Sequence, residues 1–192
     1  SRGLGDVYKR QELLRLNDIA QTKSFRANQV ILSEGETISS VYNITSGVVR
    51  LSRLLSDGRR VVTGFLFAGD FLGLSLDGLN SVTAEAVAEV KTCRMEKAKL
   101  DRLFKDIPKL EHRLLEMTVC EVINGRDHMM LLARKTLRER MATFLLKFED
   151  HLKEADSEPS TLKLPMSRAD IADYLGVTVE TISRCLAAMA EE

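Results

Sequence analysis

Tryptophan is absent from this 192-residue chain, and proline, cysteine and histidine occur only three times each. The cysteines, Cys93, Cys120 and Cys185, are odd in number and far apart, which argues against a disulfide framework and for a reducing, cytoplasmic setting. The histidines, His112, His128 and His151, share no metal-ligand spacing, and none falls within residues 25–90. No apolar run approaches the roughly 20 residues needed to cross a bilayer, and no secretory leader is visible, so no membrane partner is expected. Neither a phosphate-binding glycine loop nor a nucleophile–base pair can be traced, so an enzyme is not the expected class. Net charge is missing too: 28 basic residues balance 28 acidic ones.

What is present describes a globular protein. A hydrophobic content of 44% with 29% charged residues can supply two modest domains with real cores. The chain starts at Ser1 rather than methionine and stops at Glu192 inside a helical pattern, so a fragment is expected at both ends. Residues 1–11 do not continue the pattern that follows and are expected to be a non-native leader.

Short β-rich runs dominate from Phe25 to about Val90: Val30–Leu32, Val41–Ile44, Val48–Leu55, Val61–Phe67 and Ala84–Val90. Gly35, Gly47, Gly58, Gly69 and Gly78 punctuate them about every ten residues. Asp57-Gly58 between two apolar runs predicts a hairpin turn. The expectation is a small antiparallel barrel or roll over residues 12–106. Pro108 then suits the first turn of a long helix, taken as a dimerisation helix over 107–134. Leu110, Leu114, Met117 and Leu131 form one apolar stripe, while Leu115, Val122 and Met129 repeat every seven residues on another. A helix with two apolar faces packs on its own domain with one and on a partner with the other, so a homodimer is expected. A third helix is predicted over Thr136–Leu152, with Leu137, Met141, Phe144, Leu145 and Phe148 inward. Residues 154–160 read as a loop, and Thr161–Leu164 as a short strand.

Residues 166–189 carry the sharpest signal, a helix-turn-helix. Ser167 with Asp170 forms a capping box for one helix, and Thr178 can cap the next. Ile171, Leu175, Ile182 and Leu186 supply the locking apolar face, Ala172 is small at the crossing, and Gly176 permits a tight turn. Val179, Glu180, Ser183 and Arg184 are left outward at the start of the second helix. Arginine reads guanine and a carboxylate reads the cytosine amino group, so these are candidate base-reading residues for double-stranded DNA, with Ser167 and Thr178 as further candidate contacts. Arg168 and Arg184 stand against five acidic residues in 166–192, so phosphate neutralisation is expected elsewhere, with Arg134, Lys135, Arg138 and Arg140 as candidates.

Roll, long helix and helix-turn-helix together resemble the cyclic-AMP receptor protein / fumarate–nitrate reduction regulator (CRP/FNR) superfamily of bacterial transcription factors. The most specific stretch is Leu175-Gly-Val-Thr-Val-Glu-Thr-Ile-Ser-Arg184, similar to the fumarate–nitrate branch. Ser46-Gly47, Asp57-Gly58, the run Gly64–Asp70 and Leu131–Thr136 also match. The resemblance implies an α+β fold: an N-terminal cyclic-nucleotide-binding-like jelly roll, a dimerisation helix, and a winged helix-turn-helix over 135–192 with its wing truncated. It implies base contacts from Glu180, Ser183 and Arg184, a palindrome of TTGAT-like half-sites, and RNA polymerase as a partner, touched at the hairpin tip of Asp57 and Arg59.

The same resemblance bears on the signal. The cyclic-nucleotide branch binds ribose and phosphate with a glutamate and an arginine, both missing from Phe71–Ser75 and Asn80–Thr83, so cyclic AMP is not expected. Cys93 stands at the spacing of the branch's internal iron–sulfur ligand, after the last expected roll strand. A 4Fe–4S cluster needs four thiolates, so it could belong only to a full-length protein, and none is expected in this fragment. Read alone, Cys93 is a buried small hydrophobe. Cys185, beside Arg184, could sense oxidation, but helix packing is the stronger reading. Gly125 stands where the oxygen-sensing branch can carry an acidic residue on the dimer helix. The expected function is a dimeric regulator responding to oxygen or redox state. Alternatives are the same fold with haem, nitric oxide or no cofactor, and, remotely, a cupin-like metalloenzyme.

Overall fold

The computed structural model describes residues 16, 18–75, 77–152 and 162–190. Among the described residues, helical positions 18–19 lead into eight strands: β1 (Ala20–Phe25), β2 (Val30–Leu32), β3 (Ser40–Ser46), β4 (Val49–Leu54), β5 (Arg60–Leu66), β6 (Phe71–Leu72), β7 (Thr83–Ala86) and β8 (Val90–Glu96). They form two four-stranded antiparallel sheets, ordered β1-β8-β3-β6 and β2-β7-β4-β5. Five helices follow: α1 (Lys97–Asp106), α2 (Pro108–Arg134), α3 (Leu137–Leu152), α4 (Arg168–Leu175) and α5 (Val179–Ala190). The expected α+β order of roll, long helix and helix-turn-helix is what the chain adopts.

Inside the roll, Phe25, Ile31, Tyr42, Ile44, Val49, Leu66, Leu72 and Val90 pack face to face across the two sheets. The β4–β5 hairpin turns where Asp57-Gly58 predicted: the Gly58 amide donates to the Leu55 carbonyl at 2.9 Å, with φ +83° at Gly58. Gly47 opens β4 under a tighter demand, since a Cβ there would meet the Glu89 carbonyl oxygen.

A second core lies outside the roll. Val48, Val62 and Phe67 on its outer surface join Leu131 of α2, Met141, Phe144 and Phe148 of α3, Ile171, Ala172, Tyr174 and Leu175 of α4, and Ile182 of α5. Each large side chain so buried stabilises by about 1.5–3 kcal/mol relative to exposure. The helix-turn-helix therefore shares its core with the roll's outer face.

Several boundaries differ from expectation. The run Ala84–Val90 is not one strand: β7 ends at Ala86 and β8 begins at Val90, with a turn between. β1, the two-residue β6 and most of β8 lack the alternation that marks a half-buried strand. By contrast, α1 carries a helical apolar period at Leu100, Leu103 and Phe104, continued by Ile107 at its end, that the all-strand expectation for 12–106 passes over. Leu162–Leu164 is irregular rather than a strand, while Thr161, the 154–160 loop and the 1–11 leader lie outside the described residues.

Candidate nucleic-acid interface

The helix-turn-helix begins with the predicted capping box. The Ser167 hydroxyl accepts from the Asp170 amide at 3.1 Å, and the Asp170 carboxylate accepts from the Ser167 amide at 3.2 Å. Two otherwise orphaned donors at the start of α4 are satisfied reciprocally. At its other end Gly176 adopts φ +69°, the left-handed conformation that reverses the chain, and the Val177 amide reaches back to the Ala172 carbonyl. Thr178 caps α5 by accepting from the Thr181 amide at 3.3 Å. Ile171, Leu175 and Ile182 are buried between the helices, with Leu186 packed against them, as expected.

Val179, Glu180 and Arg184 emerge on the solvent side of α5, and Ser183 is half-buried beside them. The Glu180 carboxyl lies below its ordinary value, held there by its own amide, by the Thr178 hydroxyl and by the Arg184 charge. It is therefore an ionised acceptor beside a guanidinium donor, a pair that matches the major-groove edges of cytosine and guanine. Ser167 and Thr178, at the two helix starts, are exposed on the same unit.

Arg140, counted in sequence among candidate phosphate contacts, is otherwise engaged. Its guanidinium donates to the carbonyls of Leu132 (2.8 Å), Lys135 (2.9 Å) and Leu175 (3.0 Å), tying the end of α2 to the end of α4. A cation at two helix C-termini is favourable there, and three of its five N–H donors are committed to the backbone. Lys135 donates to the Thr143 hydroxyl at 2.8 Å.

On the roll side, α4 meets two arginines that sequence reasoning passed over. Arg50 of β4 donates to Asp170 and, at 2.8 Å, to Glu85. Arg60 of β5 bonds Asp170 at 2.8 Å and Asp173 at 2.7 Å. Burial opposes the Asp170 charge, yet the Ser167 hydroxyl and amide with the Arg50 guanidinium hold the carboxyl below its usual value. The available signal was an arginine between Val49 and Leu51: strand alternation aims it out of the roll, but does not show that a helix covers it.

The long helix keeps its second stripe exposed. Leu115, Val122 and Met129 are 59%, 49% and 63% exposed, with Val119, Ile123 and Met130 beside them, whereas Leu110 and Leu131 are buried. Cys93 corrects an expectation: it lies within β8, paired with Thr22 and Asn43, rather than after the last strand. Cys120 sits exposed on α2, and Cys185 packs against the helix-turn-helix core. Among the described residues no group of three or more histidine, cysteine or acidic side chains could hold a metal ion. One thiolate flanked by threonine and asparagine does not fit a 4Fe–4S cluster.

Comparison with known proteins agrees with this architecture. The family model of the cyclic nucleotide-binding domain matches residues 22–106, and that of the Crp-like helix-turn-helix domain matches residues 139–192. The chain is 40% identical to the nitrogen fixation regulation protein FixK of Bradyrhizobium diazoefficiens, over 90% of this chain and 73% of the relative. It is 31% identical to the fumarate and nitrate reduction regulatory protein of Salmonella typhi, over 88% of this chain and 69% of that protein. The solved structure of FixK2 from Bradyrhizobium japonicum matches with a TM-score of 0.82 and 37% identity, covering 90% of this chain and 85% of that one.

Proposed function

Because this chain belongs to the CRP/FNR family, on its fumarate–nitrate-regulator-like branch, we propose that it reads a palindrome of TTGAT-like half-sites as a homodimer and responds to oxygen or redox state. DNA-binding regulation of transcription is the shared activity of its relatives and of this chain, and the cupin-like enzyme reading lapses with it. The observation that carries the finer reading is the face of α5: Glu180 and Arg184 stand in solvent on a capped, rigidly docked helix. Glu180 accepts from a cytosine amino group, Arg184 donates to a guanine, Ser183 supplies a hydroxyl and Val179 an apolar contact to a thymine methyl. Ser167 and Thr178 lie toward the backbone.

The stripe of Leu115, Val122 and Met129, exposed among the described residues, supports the dimer. Two recognition helices set about 34 Å apart meet successive major grooves on one face of the duplex. The domain limits 12–106, 107–134 and 135–192, the cytoplasmic setting, and RNA polymerase as a partner at the exposed Asp57–Arg59 tip belong to the same reading. No helix of the described residues is long and apolar enough to cross a membrane. Cyclic AMP has no place in it, since Phe71–Ser75 and Asn80–Thr83 lack the glutamate and arginine with which the cyclic-nucleotide branch holds ribose and phosphate. The isolation of Cys93 favours the version in which the described residues carry no cluster.

A band shift against a TTGAT palindrome, a scrambled duplex and a single half-site tests the proposal, with sedimentation of the complex. One dimer on the palindrome, outcompeting the scrambled duplex, is expected. Equal affinity for all three would overturn it. Repeating the titration after mild peroxide and after reduction tests the redox response, and identical curves would remove that part.

A further inference from the structure

Helix α4 is held at both ends, and the two attachments differ in kind. At its C-terminal end Arg140 ties the Leu175 carbonyl to the end of α2. Over its first two turns Asp170 and Asp173 are gripped by Arg50 and Arg60 from the hairpin of the roll. Asp170 is 3% exposed and Arg50 8%, so this grip sits in the interior between the two domains. The Asp170 carboxylate is divided: Oδ2 serves the capping box, while Oδ1 accepts from both guanidinium groups. The atom pair that starts the helix also anchors it to the sensor domain.

We infer that Arg50 and Arg60 are positioning residues for DNA reading, setting through Asp170 and Asp173 the angle at which the roll presents the recognition helix. Three features lead there. The link from α2 to α3 is only the non-helical pair 135–136, with Lys135 extended at φ −87° and ψ 144°, so the backbone does not carry helical rigidity across it. The edge-to-face aromatic core of Phe65, Phe148 and Tyr174 holds α4 against the roll, and charge-assisted hydrogen bonds to a fixed fork add a second directional constraint at its edge. Asp170, Asp173 and Tyr174 are spaced i, i+3, i+4, placing them on one face of α4, against the roll and away from the exposed Glu180 and Arg184. The contact therefore orients the reading face without covering it. Replacing a buried ion pair by well-packed apolar residues is often neutral or stabilising, so stability alone does not account for four charges at this seam.

In its DNA readout the inference rests on the proposed palindrome reading; a measurement without DNA separates the two. Arg60, whose side chain is 30% exposed, can be replaced with less risk to folding than Arg50, and Arg60→Lys keeps the charge. The first measurement takes a fluorophore pair at the exposed Leu54 of the roll and Ala187 of α5. The distance distribution should be narrow in the native chain, broad in Arg60→Gln and largely restored in Arg60→Lys. A distribution unchanged in Arg60→Gln overturns the inference whether or not the chain reads a palindrome. The second measurement takes operators whose half-site spacing is stepped by single base pairs. Arg60→Gln should lose about tenfold at the best spacing, the scale of one charge-assisted hydrogen bond, and flatten the spacing preference while the base preference within a half-site persists. Equal loss at every spacing would mark a merely structural role and overturn it. If the native chain shows no sequence preference, the palindrome reading fails and the distance distribution alone decides.

Discussion

Arg168 donates from Nη1 to the Ser183 hydroxyl across 3.3 Å, joining the first turn of α4 to the outward face of α5. A serine hydroxyl has one donor and two acceptor lone pairs, so this bond leaves the O–H and one lone pair for a nucleobase or phosphate. The guanidinium itself is exposed, beside the candidate reading residues. Arg168→Ala should alter stability by no more than about 0.5 kcal/mol. It should weaken binding uniformly across sequences and lower the salt slope by about one. A salt titration with an unchanged slope would remove Arg168 from the interface.

Arg184→Ala acts differently. With the guanidinium gone, discrimination at one base pair per half-site should fall by about 1–3 kcal/mol. Glu180→Ala should relax a neighbouring position by a similar amount. Binding to a library randomised one base pair at a time checks both, and a preserved preference would refute the base-reading assignment.

Stability of the helix-turn-helix should depend on its two termini. Ser167→Ala removes the hydroxyl that accepts from the Asp170 amide and should cost about 1 kcal/mol. Gly176→Ala meets only an ordinary contact with Leu132 at 3.7 Å, so its cost of about 1–2 kcal/mol comes from the left-handed backbone alone. Urea denaturation of both variants measures these losses.

Val122→Asp should leave the fold intact, because Val122 is 49% exposed in the protomer, yet shift sedimentation toward monomer. A buried carboxylate at the centre of an apolar seam lacks a partner and carries a desolvation penalty. A variant that still sediments as a dimer would place the interface elsewhere.

His128 supplies a pH dependence. Its ring stacks on Tyr174 with centroids 4.1 Å apart, and Nδ1 is buried without a hydrogen-bond partner. Burial, with a contribution from Lys147, pushes its pKa below the ordinary 6.5. The unfolded chain then takes up the proton more readily. The stability His128 contributes is present above pH 6.5 and is lost as pH falls from there through the lower folded value. Burial raises Asp70, and burial with the Asp70 charge raises Glu121, so both oppose this trend as pH falls through their folded values, which lie above 3.8 and 4.5. His128→Phe should therefore flatten the stability curve just below pH 6.5. Parallel curves for variant and native chain would rule out the effect.

Legibility in the sequence followed the range of the forces. The capping box, Gly176, the Asp57-Gly58 hairpin and the start of α2 at Pro108 are local devices, complete within a few residues, and each stands where it was read. The failures are long-range. The end of β7 and the start of β8 merge into one run because residues 87–89 carry no proline, glycine or asparagine to announce the break. Cys93 then falls outside the expected strand, and the sequence gives no sign that three backbone carbonyls claim Arg140.

Periodicity and turn chemistry alone settled a run of short antiparallel strands, a long two-faced helix and a helix-turn-helix with Glu180 and Arg184 outward, since those depend on neighbours one turn or one pleat away. Only the assembled fold decided that Arg50 and Arg60, 120 and 110 positions from Asp170, would grip that carboxylate. Nothing in a strand's alternation says what will cover its outer face. That pairing exists because the roll and the helix-turn-helix bury one common apolar core, which brings opposite charges together where Arg50 and Asp170 are withdrawn from water.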